Sequence, residues 1–255
     1  MENNRDGKQT PEDLIYGSNP VREALRRGSP ITRVWFSREK NDRVTEEVIS
    51  HCRKANIPFK PVDKPFLDRL CGGGIHQGFA AQTAPKQYTP WREMRAKAME
   101  AGQAPLIILL DEVEDPQNLG AALRSADALG AHGVVITKHR AAPLTAGAAR
   151  ASAGAWEYVM VDRVTNMSRT MGEMKEEGLW VIGAAAEAGK TIYQMDWSGP
   201  VALVLGGEHK GLSPLIRKNC DELVCIPMEG RLNSLNVSAA AAAILSEINR
   251  QRKFN

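Results

Sequence analysis

At 255 residues and a net charge of +3, the chain has the length of one large domain or two of ordinary size. Its 43% hydrophobic and 25% charged residues suit a globular protein, and no apolar run approaches the roughly 20 residues of a membrane span, which argues against a membrane partner. The four cysteines (Cys52, Cys71, Cys220, Cys225) form no C-x-x-C pair and no zinc-finger spacing with the histidines, so they read as buried thiols without a metal, in a reducing compartment.

The first twelve residues are polar, lack the apolar core of a signal peptide, and read as a disordered tail on a cytoplasmic protein. Residues 13–85 then read as a small α/β unit. Asn19-Pro20 opens a helix that stops at Gly28, and Ile31 to Phe36 is a strand. Val44 to Ala55 is a helix, with Val44, Val48, Ile49 and Cys52 at helical spacing. Ile57 to Val62 is a strand, Pro65 to Leu70 a short helix stopped by three glycines, and Gly78 to Gln82 a closing strand. Residues 86–104 are polar and broken by Pro90, which predicts a linker with a partial helix.

Residues 105–255 alternate strand and helix. The predicted strands are Leu106–Asp111, Gly133–Thr137, Tyr158–Val161, Leu179–Gly183, Val201–Leu205 and Leu223–Ile226. Near-continuous apolar strands with crossover helices imply a buried, mostly parallel sheet. In such sheets ligands bind at the carboxyl ends of strands, so the loops after the strands hold the candidate chemistry. Charge adds a second pointer. Residues 1–85 carry 14 Lys/Arg against 11 Asp/Glu, and residues 105–255 carry 15 against 17. The positive excess at the front is either an ordinary solvated surface or a site for a polyanion such as RNA.

Three strand-exit loops stand out. After Leu106–Asp111, Asn118 enters a helix that carries Arg124; both are explained either as cap and surface charge or as site residues. After Val201–Leu205, Gly206 and Gly207 permit close approach of backbone to a ligand and place Glu208 at the sheet edge, with His209 beside it in a polar loop. After Leu223–Ile226, the stretch M-E-G-R-L-N-S-L-N-V-S runs into five alanines, where Ser234 or Asn236 caps the helix or joins the same site. A fourth stretch, Gly183 to Thr191, ends in G-K-T but has five residues between its glycines where a phosphate-wrapping loop has four. It is rejected as a nucleotide site.

Taken together, D-P-Q-N-L-G-A-A-L-R-S-A-D, L-V-L-G-G-E-H-K-G-L and I-P-M-E-G-R-L-N-S-L-N-V-S-A-A resemble, in order and spacing, the SPOUT RNA methyltransferases that methylate ribose 2′-hydroxyls. The front half, with Y-G-S-N-P-V-R-E-A-L and G-G-I-H-Q-G-F-A-A, resembles the ribosomal-protein-like substrate-binding domain of the bacterial enzymes that modify a guanosine of the 23S rRNA peptidyl-transferase loop. The resemblance implies a deep trefoil knot in the C-terminal α/β domain, a homodimer, S-adenosylmethionine as methyl donor, and 23S rRNA or a large-subunit precursor as partner. It also implies that Gly206, Ile226 and Leu235 contact the cofactor. Asn118, Arg124, Glu208, Ser234 and Asn236 match the reaction centre, with Ser238 in support, and His209 gains no role. Two rival readings are a tRNA ribose methyltransferase of the same fold and a catalytically silent RNA-binding ribosome-assembly factor.

Overall fold

A computed structural model of the protein describes residues 14–83, 87–144, 146–207, 211–231 and 234–254. The expected N-terminal tail lies outside the described residues. The chain divides into two compact units. Described residues up to 87 form the first together with 144–157; residues 88–143 and those from 158 onward form the second.

The front segment runs β1 (Leu14–Tyr16), α1 (Ser18–Arg27), β2 (Ile31–Ser37), α2 (Arg43–Lys54), β3 (Phe59–Val62), α3 (Lys64–Leu70) and β4 (Phe79–Thr83). Its sheet has the order β1-β4-β2-β3, with β2 and β3 parallel and the other pairs antiparallel. Leu14, Trp35, Val62, Leu67 and Ala80 form its core. Asp42 and Asp63 cap α2 and α3 by accepting the N–H groups of Thr45 and Phe66. Gly28 ends α1 in the left-handed conformation, at φ +70°.

The turn into β4 is held by His76. Its imidazole is buried; Nδ1 accepts the Gly78 N–H at 3.0 Å, and Nε2 lies 3.0 Å from Asp68 Oδ1. An accepting Nδ1 leaves Nε2 as the donor to Asp68, which fixes the tautomer. His76→Ala is expected to cost about 1–3 kcal/mol, because the Gly78 N–H loses its acceptor. Urea titration of both proteins measures this.

The second unit begins with α4 (Trp91–Glu100), β5 (Leu106–Asp111), α5 (Pro116–Leu129) and β6 (Gly133–Thr137). After an excursion through α6 (Ala146–Ala151) and a 3₁₀ turn at Ala155–Glu157, which belong to the first unit, it resumes at β7 (Val161–Val164). There follow α7 (Met167–Glu176), β8 (Trp180–Ala184), β9 (Lys190–Thr191), β10 (Val201–Gly206), α8 (Pro214–Asn219), β11 (Glu222–Cys225) and α9 (Val237–Phe254). All seven strands pair in parallel, in the order β7-β6-β5-β10-β8-β11-β9. The strand order turns back between β5 and β10, which is where a ligand crevice is expected in a sheet of this kind.

Three differences from the sequence reading have physical causes. The segment at 86–104 is not a bare linker: Trp91 and Met94 of α4 are buried with Met167, Met171 and Met174 of α7 in the core of the second unit. Strand β7 starts three residues later than expected, because Tyr158 and Val159 continue the turn that follows the 3₁₀ segment Ala155–Glu157, and Val134 to Thr137 pair with Val161 to Val164. Cys220 and Cys225 are only half-buried, unlike Cys52 and Cys71.

The last helix is anchored by a polar clamp. The Arg252 guanidinium donates to the carbonyls of Trp197 at 2.9 Å, Ala104 at 2.7 Å, Gly199 at 2.5 Å and Pro105 at 3.4 Å. Burial with no carboxylate partner in that set pulls its pKa below the usual arginine value. Arg252→Met is expected to destabilise the fold by about 1–3 kcal/mol, since several half-buried carbonyls lose their donors together. A chemical-denaturation midpoint unchanged from wild type would contradict this.

Candidate active site

The carboxyl ends of β8, β10 and β11 enclose a cavity of about 390 Å³. Its lining is mostly apolar side chain and bare backbone: Leu205 and Gly206 at the end of β10, Val224 and Ile226 around the end of β11, and Leu235 and Val237 at the entry to α9. This is a volume and a lining suited to a small organic ligand.

The glycines that shape the cavity are sterically required. A Cβ on Gly206 would lie 2.1 Å from the carbonyl carbon of Gly211 and 2.3 Å from the Leu212 nitrogen. A Cβ on Gly207 would lie 2.4 Å from the Glu112 carbonyl oxygen. Gly211 holds φ +61°, and its N–H closes on the Gly207 carbonyl at 3.1 Å. The turn therefore packs backbone against backbone, which only glycine permits. Glu112, directly after β5, itself holds φ +54° and pairs with Arg140 at 2.9 Å. Backbone held in this sparsely populated region is common at binding sites.

Asn118 and Asn236 join the two ends of the second unit's sequence. The Asn236 side-chain amide donates to Asn118 Oδ1 at 2.9 Å, across 118 positions of chain. Asn118 is buried on the first turn of α5, whose start is capped by Asp115 through the Gln117 N–H. Asn236 Oδ1 accepts both the Ser238 N–H, at 2.9 Å, and the Ser238 hydroxyl, at 2.6 Å. Asn236 is thus both the cap of α9 and a bridge to α5. The helices themselves pack together, and each carries small buried residues, Gly120, Ala122 and Ala126 on α5 and Ala241 on α9, which favour a close approach.

Of the other candidate residues, Gly206, Ile226, Ser234 and Leu235 all line the cavity. Arg124 is exposed on α5, outside that lining. Glu208 and His209 lie outside the described residues. Lys190 of the rejected G-K-T stretch sits in β9, 3.4 Å from Glu222, in a sheet edge and not in a phosphate loop. No group of three or more metal-ligating side chains occurs among the described residues, and no helix there is long and apolar enough to cross a membrane.

The sequence reading passed over Asp111, the last residue of β5. Its carboxylate is buried and accepts the Ser213 N–H at 3.3 Å, tying β5 to the start of α8. Burial raises its pKa, and the Ser213 bond only partly offsets this. The folded state therefore holds a proton where the unfolded chain has released it, so stability falls as pH rises through the window that opens near 3.8. Asp111→Asn removes that fall. Its melting temperature relative to wild type is expected to climb between about pH 3 and about pH 7, and parallel curves would contradict the assignment.

Comparison with known proteins agrees with this arrangement. Residues 105–246 match the SpoU rRNA Methylase family, and residues 14–89 match the RNA 2′-O ribose methyltransferase substrate-binding domain. The chain belongs to the SpoU rRNA methylase family. The putative TrmH family tRNA/rRNA methyltransferase YacO of Bacillus subtilis is 41% identical over 240 residues, covering 94% of this chain and 96% of its own. An uncharacterized tRNA/rRNA methyltransferase of Mycobacterium avium is 44% identical, over 98% of this chain and 81% of its own. Among solved structures, the SpoU methyltransferase AviRb of Streptomyces viridochromogenes, in complex with the cofactor AdoMet, superposes with a TM-score of 0.81. It is 26% identical and covers 100% of this chain and 96% of its own. The expected α/β architecture, a parallel sheet with a front substrate-binding domain, is that of the family.

Proposed function

We propose that this SpoU-family protein transfers the methyl group of S-adenosylmethionine to the ribose 2′-hydroxyl of a guanosine in 23S rRNA. One observation carries the reading: the Asn118–Asn236 bond ties the segment after β5 to the segment after β11, whose Ser234, Leu235 and Val237 line a cavity with a Gly206–Gly207 wall that only glycine can form. The cofactor fits this site by its chemistry, because an apolar, backbone-lined cavity takes an adenosine ring and offers N–H and C=O groups to its edges. Gly206, Ile226 and Leu235 are the residues that would hold it.

When bound, S-adenosylmethionine supplies an electrophilic methyl on its sulfonium. The protein's own part is largely positional: holding the nucleophilic oxygen in line accounts for much of such a rate enhancement. Asn118 and Asn236, locked to each other, and Ser234 on the cavity wall orient the ribose, with Glu208 as a further member of this centre. Arg124 holds the neighbouring RNA phosphate and stabilises the negative charge that develops on the ribose oxygen as its proton passes to solvent water. A guanidinium stays protonated, so it serves as a clamp and not as a base.

The protein is read as a homodimer whose C-terminal segment is knotted. Support for the knot comes from the path of the chain. Ile226 follows β11, and Asn236 bonds to Asn118 on α5, the helix after β5, while β8 and β10 lie between β11 and β5 in the sheet order. The substrate-binding domain at 14–89 and the positive excess of the front segment support RNA as partner. Labelled S-adenosylmethionine with 23S rRNA and with bulk tRNA, both from cells lacking this protein, tests the substrate. Label in 23S rRNA is expected; label in tRNA alone would overturn the rRNA assignment.

A further inference from the structure

Two charged side chains line the cavity among its described residues, and they face each other. Glu187 follows β8, Arg217 sits on α8, and the Arg217 guanidinium donates to the Glu187 carboxylate. The rest of the lining is apolar, small or backbone. A charge pair in such a place is not needed to close the fold, since both side chains remain partly exposed. We propose that Glu187, positioned by Arg217, recognises the ribose diol of the cofactor's adenosine part. This inference rests on the cofactor reading above.

Two arguments favour the diol over the other polar groups such a cofactor carries. First, the pair lies on the side of the cavity made by β8 and α8. Asn118 sits on α5, the helix that follows β5, with Asn236 bonded to it, and β5 is two strand positions from β8 in the order β5-β10-β8, or about 10 Å at the usual spacing. Glu187 is therefore remote from the reaction centre and suited to the part of the ligand that does not react. Second, an ionised carboxylate has about four acceptor sites. Glu187 can keep Arg217 and still accept two hydroxyl protons, as acidic residues do with ribose in dinucleotide folds. A clamp on the amino-acid end would instead have to break the ion pair, giving Glu187 to the ammonium and Arg217 to the carboxylate.

Calorimetric titration of the full-length protein distinguishes these uses. The ligands are S-adenosylhomocysteine and 5′-methylthioadenosine, which keeps the adenosine and lacks the amino acid. Glu187→Gln keeps the shape but weakens the acceptor, and is expected to weaken both ligands by a similar factor, about tenfold or more. Arg217→Ala should weaken both as well, and Arg217→Lys should recover part of the loss. A loss confined to S-adenosylhomocysteine would assign the pair to the amino-acid end and overturn the proposal. Unchanged affinity for both would overturn it too. If the wild-type protein bound neither, the cofactor reading itself would fall and take this inference with it. Glu187→Asp, read by the same titrations alongside a thermal melt, separates loss of recognition from loss of fold.

Discussion

Gly206→Ala is expected to lower stability by about 1–3 kcal/mol, as overpacking does, and to weaken S-adenosylhomocysteine binding by more than about tenfold. The added carbon would fall 2.1 Å from the Gly211 carbonyl carbon and 2.3 Å from its oxygen. These are backbone atoms and cannot rotate away. Gly206 is also the last residue of β10, in register with Asp111 of β5. Relief therefore has to come from moving the turn that forms the cavity wall or from slipping the central strand pair. Gly189→Ala is the matched control. Nothing lies within 4 Å of its added carbon, so stability and binding should both stay near wild type. Calorimetry and thermal melts on the two variants make the comparison.

Arg124→Ala is expected to reduce methyl transfer by about 100- to 1000-fold, the usual cost of removing a group that stabilises developing negative charge. Binding of S-adenosylhomocysteine should hardly change, because Arg124 is exposed on α5 and outside the cavity lining. Arg124→Lys keeps the charge but loses the planar fork that grips phosphate. It should therefore stay well below wild type. Near-normal turnover of the lysine variant would contradict the clamp and leave the positive charge as the only requirement.

Much of the fold was legible because the central strands are apolar runs between clear turn signals. β5, β6, β8, β10 and β11 were each placed from sequence to within a residue. β1 and β9 were not, being three and two residues long, too short for any period to show. The membership of α4 in a core was hidden for a related reason. Its buried face is Trp91, Met94 and Ala98 within an otherwise charged helix. The joining of residues 144–157 to the front segment depends on contacts across more than 120 positions, such as Ser29 with Glu157, and local patterns carry no trace of such pairing.

The site divides in the same way. Gly206, Ser234 and Asn236 announced themselves as small polar or glycine residues at strand exits. The hydrogen bond between Asn118 and Asn236, and the meeting of Glu187 with Arg217 across 30 positions, exist only once the sheet has ordered its strands. Asp111 looked like any strand-ending acid until its burial was known.

The central claim is that the accepting atom is a ribose oxygen. After transfer of labelled methyl to 23S rRNA, complete digestion to nucleosides would be compared with alkaline hydrolysis of the intact product. The expected result is label in 2′-O-methylguanosine, at a single linkage that resists alkali because its ribose hydroxyl is blocked. Label on a base, with every linkage still cleaved by alkali, would contradict the account.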